Sequence, residues 1–392
     1  MRPLSRLAST GTAVAASVLL ASCVCWGGGP AVAASSVAAG GRAVAASAPQ
    51  PYEALVLKGL AQGSRWRDGG WYCEYLGCAN GPYFLLTVWG EVPMFEAVDA
   101  LELAHPSPAH KALVDHFARS SEHYWNPYLD GYAPYPEDRY RGAEAWFDDN
   151  GWLGLAFLNA YRATHEHRYL HDAQRAFRFI ASQGWDTGGG GGMWWNTEHP
   201  YHSGPALSSD SLLGMLLYQE DRQSWQLREV IKFVGWANTH DRGDPGRLYL
   251  EKPGDPSSVN DYVQAPLIYA QYLLCADGKG ERYCAMAHAV AETMYVGPYY
   301  SYNYGPEYDA IFLQWMMAYG QAVHDSRWLA LAERNAAAAA QHASDGQGLW
   351  LSSWWGGAIG DPETHPGMFR TMAATTSLFA WLTVYAGETP PG

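Results

Sequence analysis

From residue 51 onward the apolar positions keep two different rhythms, and the two alternate along the chain. Segments 84–104, 146–163, 207–219, 263–276, 310–323 and 371–385 are apolar or small on nearly every side, the pattern of helices buried all round. Between them, segments 108–124, 168–182, 224–238, 280–294 and 326–342 are amphipathic, with 52–62 as a sixth, and predict an outer layer with one wet face. β-branched residues never form long alternating runs, so strands are not expected. The pattern predicts an all-α fold: an (α/α)6 toroid of six inner and about six outer helices.

In such a ring, the loops that lead from an outer helix into the next inner one converge at one end. Asp148 and Asp149 stand at one such entry, and Ser208-Ser209-Asp210, Asn260-Asp261-Tyr262 and Glu307-Tyr308-Asp309 stand at others. Several acids and amides should therefore line one funnel. The stretch Trp146-Phe147-Asp148-Asp149-Asn150-Gly151-Trp152 is the densest of these entries. Asp and Asn are good N-cap residues, because a short side-chain oxygen accepts from the free N–H groups of a first turn. Capping accounts for one or two of the three polar residues and leaves both tryptophans unexplained.

Two adjacent carboxyls suit the short separation, about 5–5.5 Å, that a retaining glycosidase needs. The positive end of the helix favours one ionised carboxylate, and its charge then raises the proton affinity of the other. Downstream, Trp185-Asp186-Thr187 and a five-glycine run lead into Met193-Trp194-Trp195-Asn196. A phosphate loop is excluded, because no Lys-Ser or Lys-Thr follows the glycines. Either the two tryptophans form a wall for a sugar ring or the loop simply buries them.

Composition narrows the partner. Asp and Glu outnumber Lys and Arg by 39 to 25, for a net charge of −14, which argues against nucleic acid. Eighteen Trp and 26 Tyr exceed what a core of this size needs and fit a neutral ligand with apolar faces, such as a sugar. No metal motif is present, and no cofactor is expected.

Residues 1–22 read as an export signal, with Arg2 and Arg6 before a short apolar segment. Leu20-Ala21-Ser22-Cys23 resembles a lipobox, in which Cys23 would be lipidated and anchor the protein to a membrane. Ala31-Val32-Ala33 offers an ordinary cleavage site instead. Residues 23–50 are a flexible Ala/Gly/Ser-rich linker, and 51–388 form the catalytic domain. Export makes disulfides available, and the local pairings Cys73–Cys78 and Cys275–Cys284 are the simplest. Their spacings are poor for zinc. The protein is expected at the cell surface or outside the cell, as a monomer.

The Asp148-Asp149-Asn150-Gly151-Trp152 core, coupled to the glycine run and Trp194-Trp195, resembles glycoside hydrolase family 76, the α-1,6-mannanases. Weaker likenesses, among them Gly131-Tyr132-Ala133-Pro134-Tyr135, extend it over roughly residues 52–387. The resemblance implies metal-free, retaining endo-hydrolysis of α-1,6-linked mannan, with Asp148 as nucleophile and Asp149 as acid/base. It implies a substrate groove lined by Trp152, Trp194 and Trp195; Tyr135, Asn196, Asp210, Tyr262 and Gln264 are further candidates. Two segments depart from the family pattern: Tyr262-Val263-Gln264-Ala265 stands where relatives show Tyr-Asn-Gln-Gly, and Tyr308-Asp309-Ala310-Ile311-Phe312 where they show Phe-Lys-Gly-Ile-Phe. Both put the glycan in doubt, because lost donors and an added carboxylate alter hydrogen bonding in the groove.

Two other readings remain. A non-catalytic glycan-binding lipoprotein would use the Asp pair only as a cap, and other toroid enzymes include epimerases and uronyl hydrolases. An acidic uronyl substrate calls for cations at the entries, and few stand there.

Overall fold

A computed structural model describes residues 51–69, 71–78, 85–243, 248–296, 305–357 and 367–386. These lie in one compact unit, and the expected signal (1–22), the candidate lipidation site Cys23 and the expected linker (23–50) fall outside the described residues. The inner helices are α2 (Val88–Ala104), α4 (Phe147–Thr164), α6 (Gly204–Asp221), α8 (Asp261–Ala276), α10 (Pro306–Val323) and α12 (Phe369–Tyr385). Between them lie α1 (Tyr52–Gly63), α3 (Pro108–Ser121), α5 (His167–Phe179), α7 (Ser224–His240), α9 (Glu281–Val296) and α11 (Arg327–His342). Each inner helix packs on the next and α12 packs back on α2, so the six form a closed cycle of neighbours. The outer helices α3, α5, α7, α9 and α11 each cover the inner helix before them, and α1 covers α12.

The two helix kinds differ as their patterns predict. Nearly every residue of α4 and α10 is buried, whereas α5 buries only Tyr169, Ala173, Ala176, Phe177 and Phe179. Helix starts are set by side-chain caps where the sequence supplies them. Thr87 accepts from the Gly90 N–H at 3.1 Å to start α2, and Ser203 accepts from the Ala206 N–H at 3.2 Å to start α6. The ends of α4, α6 and α10 turn off through a left-handed residue, His165, Arg222 and His324.

Helices α6, α8 and α10 begin earlier than their apolar runs, at Gly204, Asp261 and Pro306, whereas α2 begins later, at Val88 behind its Thr87 cap. The polar first turns of α6, α8 and α10 face the inside of the protein, so hydrophobicity marks the start too late. Among the described residues, strands are confined to two short antiparallel pairs: β1 (Arg67–Asp68) with β2 (Trp71–Tyr72), and β3 (Trp125–Asn126) with β4 (Gly131–Tyr132). Disulfides join Cys73 to Cys78 and Cys275 to Cys284. Among the described residues no helix is long and apolar enough to cross a membrane.

Candidate active site

A cleft of about 730 Å³ opens at the end of the ring where the inner helices start. Every inner helix reaches it near its N-terminus: Thr87 and Trp89 at α2, Asp148 and Asp149 on α4, Ser203 and Pro205 at α6, Tyr262 on α8, Tyr308 on α10, Met368 and Arg370 at α12. That volume falls in the usual range for ligand sites, about 300–1,000 Å³.

The Asp pair is set into this cleft by two local devices. Asn150 ties α4 to β4, accepting from the Tyr132 N–H at 2.8 Å and donating to the Tyr132 and Trp146 carbonyls at 2.9 and 2.8 Å. On the other side, residues 145–147 run antiparallel to 195–197, with the Phe147 N–H on the Trp195 carbonyl at 2.9 Å. Glu144 buttresses that junction, accepting from Trp146 Nε1 at 2.6 Å and from Asn196 Nδ2. The two motif halves that the sequence separates by some forty residues are thus one zipped unit.

Trp146 holds the N-cap position of α4 and makes no side-chain cap. Asp148 is half-buried and accepts from the Asp149 N–H at 3.1 Å and from the Trp195 indole. Burial pushes its carboxyl up to about 7; the charge of Glu251 adds to that push, while those donors oppose it. Asp149 is 3% exposed, and its Oδ2 has no hydrogen-bond partner among the described residues. Burial first, then the charges of Asp148 and Glu144, hold it well above the ordinary carboxylate range. Two chemically identical side chains therefore differ: one is supplied with donors that favour the anion, the other is left dry.

Gly151 makes room for a third carboxyl. A Cβ there would meet Ser209 Oγ at 2.3 Å and Asp210 Oδ1 at 2.4 Å, so only glycine lets α4 and the start of α6 come this close. Asp210 is fully buried and outside the cleft lining, and burial and the Asp148 charge push it strongly up.

Of the expected groove residues, Trp195 and Tyr262 line the cleft. Trp195 stacks between Trp146, at 5.6 Å, and Tyr201, at 5.2 Å. Trp194 packs away from the cleft, between His199 and His202, because neighbours on an extended segment point to opposite sides. Trp152 lies behind the lining, its ring against Trp89 and Tyr262. Gln264 is used internally, accepting from the Tyr249 N–H at 2.9 Å and donating to the Tyr249 and Asn260 carbonyls. Asn196 is buried in the zipped junction, and Tyr135 is half-buried outside the lining.

The pattern missed Trp89, Tyr201, Glu251, Lys252 and Arg370. Trp89, one residue into α2, was accessible to the same entry-residue logic that found Asp148. Glu251 and Lys252 come from a loop held by Gly204, whose N–H meets the Glu251 carbonyl at 2.9 Å, and nothing local in the sequence marks that contact. Among the described residues no group of three or more His, Cys, Asp or Glu side chains is arranged to hold a metal ion.

A cycle of inner helices with a dicarboxyl cleft at their starts defines the class of fold, a helical toroid. Residues 65–212 match the family model described as Glycosyl hydrolase family 76. A family 76 glycoside hydrolase from a bovine Bacteroides thetaiotaomicron strain superposes with TM-score 0.74 at 18% identity, covering 86% of this chain and 78% of that one. A family 76 mannosidase from Bacteroides thetaiotaomicron gives 0.73 at 19%, covering 85% and 98%. An α-1,6-mannanase from Salegentibacter gives 0.69 at 15%, covering 85% and 99%; an inactive variant of that enzyme, with two consecutive aspartates replaced by asparagine, was solved with α-1,6-mannotriose. No curated protein matches the chain in sequence. The chain thus carries a family 76 sequence match over residues 65–212 and shares the fold of family 76 structures over most of its length.

Proposed function

We propose that the cleft cleaves internal α-1,6-mannosidic linkages of a mannan-type polysaccharide with retention of anomeric configuration. The observation that carries this is the unequal Asp pair in the first turn of α4, both members lining one cleft. The consecutive aspartates of the Salegentibacter mannanase support it, since their replacement leaves an inactive protein that holds α-1,6-mannotriose.

In the first step Asp149 gives its proton to the glycosidic oxygen while an Asp148 oxygen attacks the anomeric carbon and the C–O bond breaks. In the second, Asp149 takes a proton from water, whose oxygen attacks that carbon and releases Asp148 from its ester. Trp195 and Asp149 N–H hold the nucleophile, and Trp89, Tyr262 and Tyr308 supply an aromatic wall across from the Trp146–Trp195–Tyr201 stack. The enzyme is read as exported, either tethered through Cys23 or released after Ala33, and the mass of the mature N-terminus decides between them.

The test is product analysis on linear α-1,6-mannan with proton NMR of the first-formed anomer. Oligosaccharides appearing first as the α-anomer support the assignment. Binding without release would sink it in favour of a glycan-binding protein, and a first-formed β-anomer would overturn retention. An epimerase reading draws on the toroid of a cellobiose 2-epimerase from Bacillus thermoamylovorans, TM-score 0.60 at 11% identity. Among the described residues no histidine lines the cleft to exchange a proton on carbon near neutral pH, which favours hydrolysis.

A further inference from the structure

Arg370 is the one Lys or Arg side chain buried among the described residues, 8% exposed, and it lines the same cleft as Asp148 and Asp149. It is brought there by an unusual amount of structure. Its Nε lies 3.1 Å from Oε1 of Glu307, which is fully buried at the start of α10. The chain just before it, 367–369, is held against residues 74–76: the Phe369 N–H donates to the Glu74 carbonyl at 2.8 Å, the Leu76 N–H to the Gly367 carbonyl at 2.8 Å, and Trp66 Nε1 to the same Gly367 carbonyl at 2.8 Å. The Cys73–Cys78 disulfide brackets that docking segment. A guanidinium fixed this firmly, among acids, is a built feature of the site.

The acids explain what it is for. Asp149 faces Asp148 on its own helix, Glu144 from the segment before it, Glu74 from the disulfide loop and Tyr124 after α3; Asp148 in turn feels Glu251 and acts on Asp210. In a dry site with so many carboxyls, Asp148 and Asp149 are both driven to hold their protons, and a doubly protonated pair has no nucleophile. Of the charges acting on Asp149, Arg370 is the one that opposes this.

We propose that Arg370 is the positioning cation that keeps the Asp148–Asp149 pair singly protonated, with Glu307 and the disulfide-bracketed loop holding it in place. This rests on the roles given to the pair above. It acts through the pair and is distinct from any contact it makes with the glycan.

The test compares Arg370→Gln, Arg370→Lys and Glu307→Gln, each shown folded by circular dichroism, by the pH dependence of kcat/KM on α-1,6-mannan. Removing the cation moves both limbs of the profile alkaline by about 1 pH unit. Arg370→Lys restores the parental position. Glu307→Gln keeps a side-chain oxygen facing the guanidinium, and the docked 367–369 segment still places Arg370, while a negative charge beside the cation is lost; the profile moves the other way, toward acid, and this variant also carries the test if Arg370→Gln does not fold. A profile that stays in place while the rate falls equally at every pH would overturn the proposal and make Arg370 a substrate contact or a packing residue. Carbon-13 NMR titration of aspartate-labelled protein reads the same shifts without substrate. Loss of mannan turnover in the parent, with the NMR shifts present, therefore counts against the mannanase reading and leaves Arg370's role standing.

Discussion

Two carboxyl pairs sit in the first turns of inner helices, and they are built for opposite ends. Asp148 and Asp149 line the cleft, one half-buried with donors, the other with an unpartnered oxygen. Asp261 and Asp309, on neighbouring helices α8 and α10, are 3% and 2% exposed, hydrogen-bond one another and lie outside the cleft lining. Their neighbours in sequence, Tyr262 and Tyr308, face the cleft with rings 4.9 Å apart. A buried carboxyl pair is thus no mark of catalysis by itself. What distinguishes the α4 pair is that both of its members line the cleft.

The sharpest way to break this comparison is to neutralise each pair in turn. Asp148→Asn or Asp149→Asn is expected to lower kcat/KM by about a thousandfold or more, whereas Asp261→Asn should cost less than about tenfold. Equal losses from both pairs, measured on folded proteins, would erase the distinction. Acidity sharpens it next. Activity needs Asp148 ionised, and burial holds that group up to about 7, so kcat/KM should fall about tenfold per unit as pH drops below that point. An acid limb in the ordinary carboxylate range would show that Asp148 is wetter than its surroundings indicate.

The smallest effect concerns stability. Burial raises Asp261 to about 6. The folded state therefore binds its proton more tightly than the unfolded chain does, and its contribution is most favourable below about pH 4 and is lost as pH rises to about 6. Asp261→Asn, which keeps a donor for Asp309, should raise the midpoint of thermal unfolding at pH 7 and leave it unchanged near pH 3.5. A loss at pH 7 would mean that the pair is a net stabiliser when ionised.

Much of this was legible in the sequence, for identifiable reasons. Helix order follows from two hydrophobic rhythms, and the outer helix α7 starts at Ser224 as its pattern indicates. Inner boundaries slipped because Ser208, Asp210, Asp261, Glu307 and Asp309 are buried polar residues, which a hydrophobic pattern reads as loop. Asp148 and Asp149 were legible because the motif around them is dense. Asn196 and Gln264 resembled ligand-binding amides, yet their hydrogen bonds are spent on the fold, a fact set by partners distant in sequence. Arg370 escaped notice for a similar reason: one arginine between Phe369 and Thr371 carries no motif, and its meaning comes from Glu307 and Glu74.

The closure of the ring by α12 makes the cleft depend on one late helix. A chain without α12 still has α2 through α10, including both aspartates, but neither Arg370 nor the helix that seals the circle. Such a chain holds five of the six inner walls and an open flank along α2 and α10. Competence therefore waits on α12, and a stop before Phe369 yields a polypeptide with neither a closed circle nor a guanidinium in its cleft.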